Sequence, residues 1–428
     1  MKLLRPAQEF IRTETGAGLL LLAMVPIALF WANGPFADTY EKFWHLNAAI
    51  GIGGHNLSLD LRHWVNEGLM AIFFFVVGLE IKRELTTGDL SDRRKAGTPV
   101  LAALGGMIVP AVLYVVFNHQ QPQASGWAIP MATDIAIVLG ILALLGKRVP
   151  TPLKTFLLTL AIVDDIGAIT VIALFYSPHG INFTALGIAA AIILAVFALR
   201  QTKREQGVAL LLLSLAAWVA TYNSGIHATL AGVVLALLTP TSPRVERDDV
   251  EENRLLDLSS VETASESASL ARGSVSTVEW LEHLLHPWSS YLVLPLFALA
   301  NAGVALNSST GSALTSSVAI GIIAGLLIGK PMGITLATLI ATRIFKLHLP
   351  KGITLPLIAA ASVLAGVGFT VSLFISELAF TDATLTTQAK SAVLIASVGI
   401  GILGFFTLLL ALRRKSALDP DDRRIEIP

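Results

Sequence analysis

The amino-acid sequence predicts an all-α polytopic membrane protein with about twelve transmembrane helices. Its 428 residues are 54% hydrophobic and only 14% charged, and the mean hydropathy is +0.71. Soluble domains carry about 25% charged residues, so a chain this apolar requires lipid around it. A spanning helix needs about 20 mostly apolar residues. Apolar runs near that length fall at 16–33, 64–85, 97–117, 125–145, 152–176, 183–200, 207–221, 225–238, 287–304, 317–342, 353–378 and 391–412.

The basic residues indicate which ends of these runs face the cytoplasm. Twenty-six of the thirty lysines and arginines fall in the termini or in alternate loops. The opposite loops hold only Lys42, Arg62 and Lys390. Because cytoplasmic loops are enriched in lysine and arginine, we expect both termini to be cytoplasmic. Because both flanks of residues 207–238 are basic, the same rule divides this stretch into two short spans. The first run lacks a convincing signal-peptide cleavage site, so we expect it to be retained as the first helix.

The chain is predicted to have four parts. Residues 1–239 hold helices 1–8, residues 280–412 hold helices 9–12, and residues 413–428 form a cytoplasmic tail. Residues 240–279 are acidic, serine-rich and poor in aromatics, which predicts a flexible cytoplasmic linker. The loop at 35–62 is expected to be a short external hairpin or an interfacial turn. The absence of cysteine excludes disulfides and thiolate metal sites, and the balanced charge gives no indication of a nucleic-acid partner.

Two adjacent carboxylates, Asp164 and Asp165, lie in the middle of the fifth run. A charge at the bilayer centre costs about 2.5–3.5 kcal/mol, and such residues usually mark ion pathways. Consecutive helical residues point about 100° apart, so the two side chains can face different neighbours. We expect one carboxylate to bind a cation in a water-filled cavity and the other to face a cation of the protein. The alternative is a permanently protonated pair that only holds helices together.

Two of the spans are expected to be interrupted. Pro130 removes a backbone donor in the fourth span, and Thr133 and Asp134 follow it. Gly366 and Gly368 in the eleventh span permit unusual dihedrals or close backbone approach. Broken helices near the midplane are how many secondary transporters bind ions. In the simpler alternative, Thr133 or Asp134 only caps a helix that starts there.

Lys330 is the only basic residue at the centre of a run. An unpaired ammonium group at this depth should either deprotonate or find a partner, and the candidate partners are Asp164 and Asp165. The pair is either purely structural or one that breaks when a cation arrives and releases protons. If two interrupted helices cross, Asp134 and Lys330 are the side chains available to compensate the dipoles of their ends.

A second group of titratable residues is predicted at the cytoplasmic side. Histidine titrates near neutral pH, so a proton-sensing mouth and an ordinary interfacial rim are both consistent with this composition. His227 lies at the external end of a short span and could simply pack there. The cytoplasmic group consists of Glu80, Arg83 and Glu84 after the second span and Glu282, His283 and His286 before the ninth.

Several separate stretches, taken together and in order, resemble the NhaA family of sodium/proton antiporters. The resemblance runs from the first helix to the twelfth. Residues 240–279 depart from the common family pattern, so no regulatory residue from that segment is carried over. The most specific stretches are VGLEIKREL, MATDIAIVLG, LAIVDDIGAI, SGIHATLAG, LEHLLHPW, IGKPMGI and GVGFTVSLFISELAF.

The resemblance implies a fold and a set of functional residues. Helices three to five and ten to twelve would form inverted repeats, with the fourth and eleventh helices broken and crossing; this family is a known example of such repeats. Asp164 and Asp165 would bind Na⁺, with Asp134 and Thr133 close by. Lys330 would be the core lysine. The pH response would fall on Glu80, Arg83, Glu84, Glu282, His283 and His286, with His227 also implicated.

The function implied is exchange of external protons for internal Na⁺ or Li⁺ by a multi-pass protein of the bacterial inner membrane. Hard cations prefer oxygen ligands, which two carboxylates, a hydroxyl and water supply. We expect no enzymatic activity and no cofactor besides the transported Na⁺, Li⁺ and H⁺. The sequence leaves the oligomeric state open, a homodimer included. The alternatives are a passive cation channel and an intramembrane aspartyl protease, although no aspartate here has the GxGD context of those proteases.

Overall fold

The computed structural model describes residues 4–52, 55–176, 180–200, 207–241, 275–305, 313–350 and 352–418. Most of the predicted linker and the end of the predicted tail lie outside these residues. Each of the twelve predicted runs overlaps helical structure. The helices are α1 (Leu4–Asn33), α2 (Ala37–Trp44), α3 (Leu61–Thr86), α4 (Arg93–Phe117), α5 (Ile135–Leu145), α6 (Thr151–Phe175), α7 (Phe183–Arg200), α8 (Gly207–Asn223), α9 (Thr229–Leu237), α10 (Thr277–Trp288), α11 (Leu294–Asn301), α12 (Ser317–Arg343), α13 (Leu355–Ala365), α14 (Phe369–Ala379) and α15 (Ala383–Leu418).

The all-α polytopic fold class is confirmed. Eight spans within the described ranges are long and apolar enough to cross a membrane, and α13 with α14, bent by 51°, supplies a ninth. The fourth of these spans begins with the 3₁₀ helix Gln123–Met131 and continues into α5. The seventh predicted run lies in α8, which has 17 residues, and the ninth lies in helical structure that continues from α10 through the π-helix Ser289–Val293 into α11. Only the eighth is shorter than predicted. It lies in α9, which has only 9 helical residues, about 14 Å, because the chain turns after α8 through Gly225 at φ +79°.

A small β-hairpin occupies the predicted external loop. Strands β1 (Asn47–Ile52) and β2 (His55–Asp60) pair antiparallel, with Asn47 opposite Asp60. The Asp60 carboxylate caps α3 by accepting a bond from the backbone N–H of His63 at 2.8 Å. Burial alone would raise the pKa of Asp60, but bonds from the His63 backbone and ring and from the His45 ring outweigh it and hold this pKa below its usual value. The antiparallel pairing of β1 with β2 confirms the hairpin expected in the loop at 35–62.

The first of two compact units consists of residues 1–66, 92–176 and 290–428. Within it, α4 and α12 approach each other through glycines. A Cβ on Gly333 would lie 2.1 Å from the Gly105 carbonyl oxygen, and a Cβ on Gly105 would lie 2.4 Å from the Gly333 carbonyl oxygen. Small residues let helix backbones come this close in membranes, where packing rather than water exclusion holds helices together. This contact places α12 firmly against α4.

The second unit consists of residues 67–91 and 177–289. Glycines also allow α3 and α9 to approach each other closely in this unit. A Cβ on Gly232 would lie 2.4 Å from the Ala71 carbonyl oxygen, and one on Gly78 would lie 2.7 Å from the Ala236 Cβ. The close packing buries Leu79, Ala236 and Val278 together. In this unit α7 has only two buried residues, Ala189 and Val196, and Val196 packs against Ala217 of α8.

Candidate functional site

Two interrupted helices meet inside the first unit. The 3₁₀ helix that contains Pro130 ends at Met131, and the chain is extended at Ala132 before α5 begins. The other interruption separates α13 from α14. The Asp134 backbone N–H donates to the Val367 carbonyl at 2.7 Å. The main chains of the two breaks therefore hydrogen-bond to each other, which satisfies groups that could not be left free at membrane depth.

Gly366 and Gly368 are required for space rather than for unusual dihedrals. Their φ angles are −71° and −95°, which any residue adopts. A Cβ on Gly366 would lie 2.4 Å from the Leu326 carbonyl oxygen, and a Cβ on Gly368 would lie 3.1 Å from that of Ala132. Of the two sequence-based explanations for these glycines, close backbone approach is the one that the structure supports, and it lets the second break reach the first.

Asp134 lies at the N-termini of two helices. Its Oδ1 accepts a bond from the Ile137 backbone N–H at 3.1 Å, which caps α5. Its Oδ2 accepts from the backbone N–H of Thr370 at 3.0 Å and from the Thr370 hydroxyl at 2.6 Å, in the first turn of α14. A carboxylate is favoured at the positive end of a helix dipole, and here it meets two such ends. The capping alternative thus describes Asp134 correctly, and the cap also joins the two broken spans.

Asp164 carries the ion pair that the sequence left open between two aspartates. The Lys330 Nζ lies 2.8 Å from Asp164 Oδ2, and the Thr133 hydroxyl donates to the same oxygen at 2.6 Å. The Lys330 side chain is fully buried and also donates to the Met131 carbonyl, at the C-terminal end of the 3₁₀ helix. Asp164 Oδ1 is buried and accepts no hydrogen bond from the residues described. The carboxylate therefore keeps one oxygen that can take another positive partner.

Asp165 is buried next to this pair, with 6% of its surface exposed. It lies within electrostatic reach of Lys330. Within the described ranges, no group of three or more histidine and acidic side chains has the arrangement that holds a metal ion. A cation bound here would therefore rely on the two aspartates together with hydroxyl, carbonyl and water oxygens. Carboxylate, hydroxyl and carbonyl oxygens are the ligands that hard cations prefer.

The predicted cytoplasmic group is partly assembled in the second unit. Arg83 on α3 forms an ion pair with Glu282 on α10, and Glu282 is buried with its Oε2 accepting no bond from the described residues. Burial raises the pKa of Glu282, and the charges of Arg83 and His286 act against that rise. Glu84 is buried and accepts the Asp89 backbone N–H at 2.8 Å. Of the other predicted members, Glu80 is buried and His283 is exposed.

His227 has a different partner. Its Nδ1 lies 3.6 Å from Glu67 Oε1, and Glu67 Oε2 accepts the neighbouring Ala228 backbone N–H at 3.1 Å. Glu67 precedes the apolar part of α3 and had no assigned role in the sequence analysis. His227 is thus held at the start of α9 by a carboxylate from α3.

Comparison of the sequence with known proteins shows which family the chain belongs to. The sequence model described as Na⁺/H⁺ antiporter 1 matches residues 8–408. The chain belongs to this antiporter family. It is 45% identical to the Na(+)/H(+) antiporter NhaA 3 of Frankia alni over 96% of this chain and 90% of that protein. It is 44% identical to the Na(+)/H(+) antiporter NhaA of Rhodopirellula baltica, over 96% and 94% of the two chains, and to that of Yersinia enterocolitica, over 95% and 97%.

The family resemblance stated from the sequence is thereby confirmed. The sequence analysis nevertheless missed two contacts. Thr370 contacts Asp134, and Glu67 contacts His227. Thr370 follows directly after the Gly366–Gly368 break, so the rule that helix N-termini attract carboxylates could have paired it with Asp134. No comparable signal pointed to Glu67, because its partner lies 160 residues along the chain from it, and only the fold brings the two together.

Arg83→Gln is expected to move the pH dependence of exchange toward alkaline pH. The Arg83 charge opposes the rise in the Glu282 pKa, so its removal raises this pKa further. Glu282 then stays protonated to a higher pH, so any step that requires its ionised form begins only at a higher pH. The measurement is the pH at half-maximal Na⁺-dependent proton movement in everted vesicles. Lys82→Gln, which removes the same charge one residue away, is the control and should leave the midpoint in place; an unshifted Arg83→Gln profile contradicts the prediction.

Proposed function

We propose that this chain is a secondary Na⁺/H⁺ antiporter that exports Na⁺ or Li⁺ in exchange for external protons. The observation that carries the proposal is the Asp164 carboxylate, which shares one oxygen between Lys330 and Thr133 and keeps the other open at the junction of two broken helices. Family membership and the names of the relatives support the same activity.

Exchange follows from competition for the same oxygens. An arriving Na⁺ is attracted to Asp164 and Asp165, and it competes with the Lys330 ammonium for the Asp164 carboxylate. Protons bound at these groups are released as the cation takes their place, and the reverse occurs when the cation leaves. A carrier that crosses with either load, but not with an empty negative site, exchanges the two. If one Na⁺ displaces more than one proton, each cycle also moves net charge across the membrane.

The same competition supports a pH-dependent activity. At acidic pH the carboxylates are protonated and cannot take a cation, so exchange stops. We also propose that Glu80, Arg83, Glu84, Glu282, His283 and His286 modulate this response from the cytoplasmic side, with His227 contributing separately. The chain is proposed to work in the bacterial inner membrane with both termini cytoplasmic, as the basic loops favour. The structure describes one chain, and a homodimer remains part of the proposal.

A passive channel and an intramembrane protease receive no support from the family match. The deciding experiment is Na⁺-dependent proton movement in proteoliposomes, repeated with Li⁺ and K⁺ and with the membrane potential clamped or free. We expect Na⁺ and Li⁺ to drive proton movement and K⁺ to fail. We also expect a preset proton gradient to concentrate Na⁺ against its own gradient, which a channel cannot do. Sodium flux that only equilibrates, whatever the proton gradient, would falsify the proposal.

A further inference from the structure

Lys390 is the second buried lysine among the described residues, after Lys330. The sequence placed it in an external loop, ahead of a span at 391–412. In the structure α15 already begins at Ala383, so Lys390 lies inside the helix with only 8% of its surface exposed. Its Nζ forms an ion pair with Glu377 and donates to Asn301 Oδ1 at 3.3 Å. The exchange mechanism uses none of these three side chains.

Glu377 lies on the same short helix as Thr370, which contacts Asp134 of the proposed ion site. Glu377 is in the last turn of α14, and Thr370, which holds Asp134, is in the first. The two are seven residues apart, which is two helical turns, about 10 Å, on one face of the helix. The eleven-residue helix is therefore bound by a charged contact at each end. At one end it donates two hydrogen bonds to Asp134, and at the other it is paired with Lys390.

The Lys390 end is connected to further elements of the same unit. Asn301, the last residue of α11, donates from Nδ2 to Asn66 Oδ1 at 2.8 Å and to the Phe297 carbonyl at 3.0 Å. The Phe297 ring also packs on Phe374 of α14, with centroids 6.3 Å apart. Lys390 thus contacts side chains from the last turns of both α11 and α14, and a cation near the C-terminus of a helix is electrostatically favoured. The charged groups Arg62 and Glu41 also act on it.

We propose that Lys390 is a positioning residue for the exchange site: by holding Glu377 and Asn301, it fixes α14 along its axis and so keeps Thr370 against Asp134. This inference rests on the proposed antiport and adds to it. Because α14 follows a three-residue break, the chain before it does not constrain its axial position well. Loss of the Lys390 contact lets the helix shift, which loosens the Asp134 bonds and weakens cation binding without removing any ligand.

Lys390→Met is the first test. It leaves Glu377, whose side chain is 27% exposed and can reach water, rather than a buried unpaired charge. We expect the half-saturating Na⁺ concentration to rise about fivefold, the scale of coupling in a shared hydrogen-bond network, with little change in the maximal rate. In detergent, the concentration of Na⁺ that stabilises the purified chain against heat should rise by the same factor. Lys42→Met, an exposed lysine on α2, is the matched control and should leave both values unchanged.

A purely structural ion pair gives a different result. It would lower the thermal midpoint or the yield of folded chain but leave the half-saturating Na⁺ concentration of the folded fraction at the wild-type value, and that outcome overturns the inference. If Lys390→Met does not accumulate, Glu377→Gln is judged by the same two measurements. An inactive wild-type chain would overturn the proposed function and this inference with it. An active wild-type chain with an unchanged half-saturating concentration in the variant overturns this inference alone.

Discussion

Asp164→Asn is expected to abolish Na⁺-dependent proton movement, with a loss of at least about 100-fold in rate. An amide cannot neutralise a bound Na⁺, and it leaves the fully buried Lys330 without its counter-charge. Removing one partner of a buried ion pair costs about 3–5 kcal/mol, which corresponds to more than two decades in an equilibrium or a rate. The variant is measured in everted vesicles, and its thermal midpoint is measured in detergent, where we also expect a decrease.

Asp165→Asn is expected to abolish exchange without lowering the thermal stability of the chain. The second aspartate is buried but the Lys330 ion pair does not depend on it. We therefore expect this variant to lose exchange as fully as Asp164→Asn while unfolding near the wild-type temperature. Asp38→Asn, on the exposed surface of α2, should behave as wild type in both assays. Full exchange by either buried-site variant would remove the basis of the proposed site, and equal destabilisation by both would contradict the assignment of the ion pair.

The parts of this molecule that follow from local sequence were predictable. Membrane spans depend on length and apolarity, and both properties can be seen in the sequence. The interruption at Pro130 follows from the missing backbone donor, and Asp164 stands out because a carboxylate at that depth is costly. Its partner could not be chosen, because Asp164 and Asp165 point in different directions and only the position of α12 decides which of them meets Lys330.

Other features depended on contacts between distant segments. Lys390 was assigned to a loop because hydropathy cannot locate the start of a helix whose first two turns are polar. The Lys390 ammonium can be buried in these turns of α15 because Glu377 of α14 and Asn301 of α11 bind it. The glycines of α4 and α12 carry no local signal either, since glycine is frequent in membrane helices. Their importance becomes visible only when the two backbones are placed together.

Gly333→Val is expected to disrupt the first unit. A Cβ at this position would lie 2.1 Å from the Gly105 carbonyl oxygen and 3.0 Å from the Val109 Cβ, so α4 and α12 have to separate. A backbone oxygen cannot rotate away as a side chain can, and overpacking of this kind costs about 3 kcal/mol. Lys330 lies one turn before Gly333, so the separation also moves its ammonium relative to Asp164. We expect loss of both thermal stability in detergent and exchange in vesicles.

Gly399→Val is the matched control for this prediction. Gly399 is also a glycine inside a long membrane helix, α15, but, apart from its chain neighbours and the nearby backbone of its own helix, no atom of the described residues lies within 4 Å of the position of its added Cβ. The two variants add the same side chain and incur similar costs of helix propensity, so a difference between them reports the contact with Gly105 alone. Gly333→Ala should be intermediate, because one methyl group already meets the carbonyl. If Gly333→Val instead unfolds at the same temperature as Gly399→Val and exchanges at the wild-type rate, α4 and α12 are not held together at Gly105, and the placement of Lys330 cannot depend on that crossing.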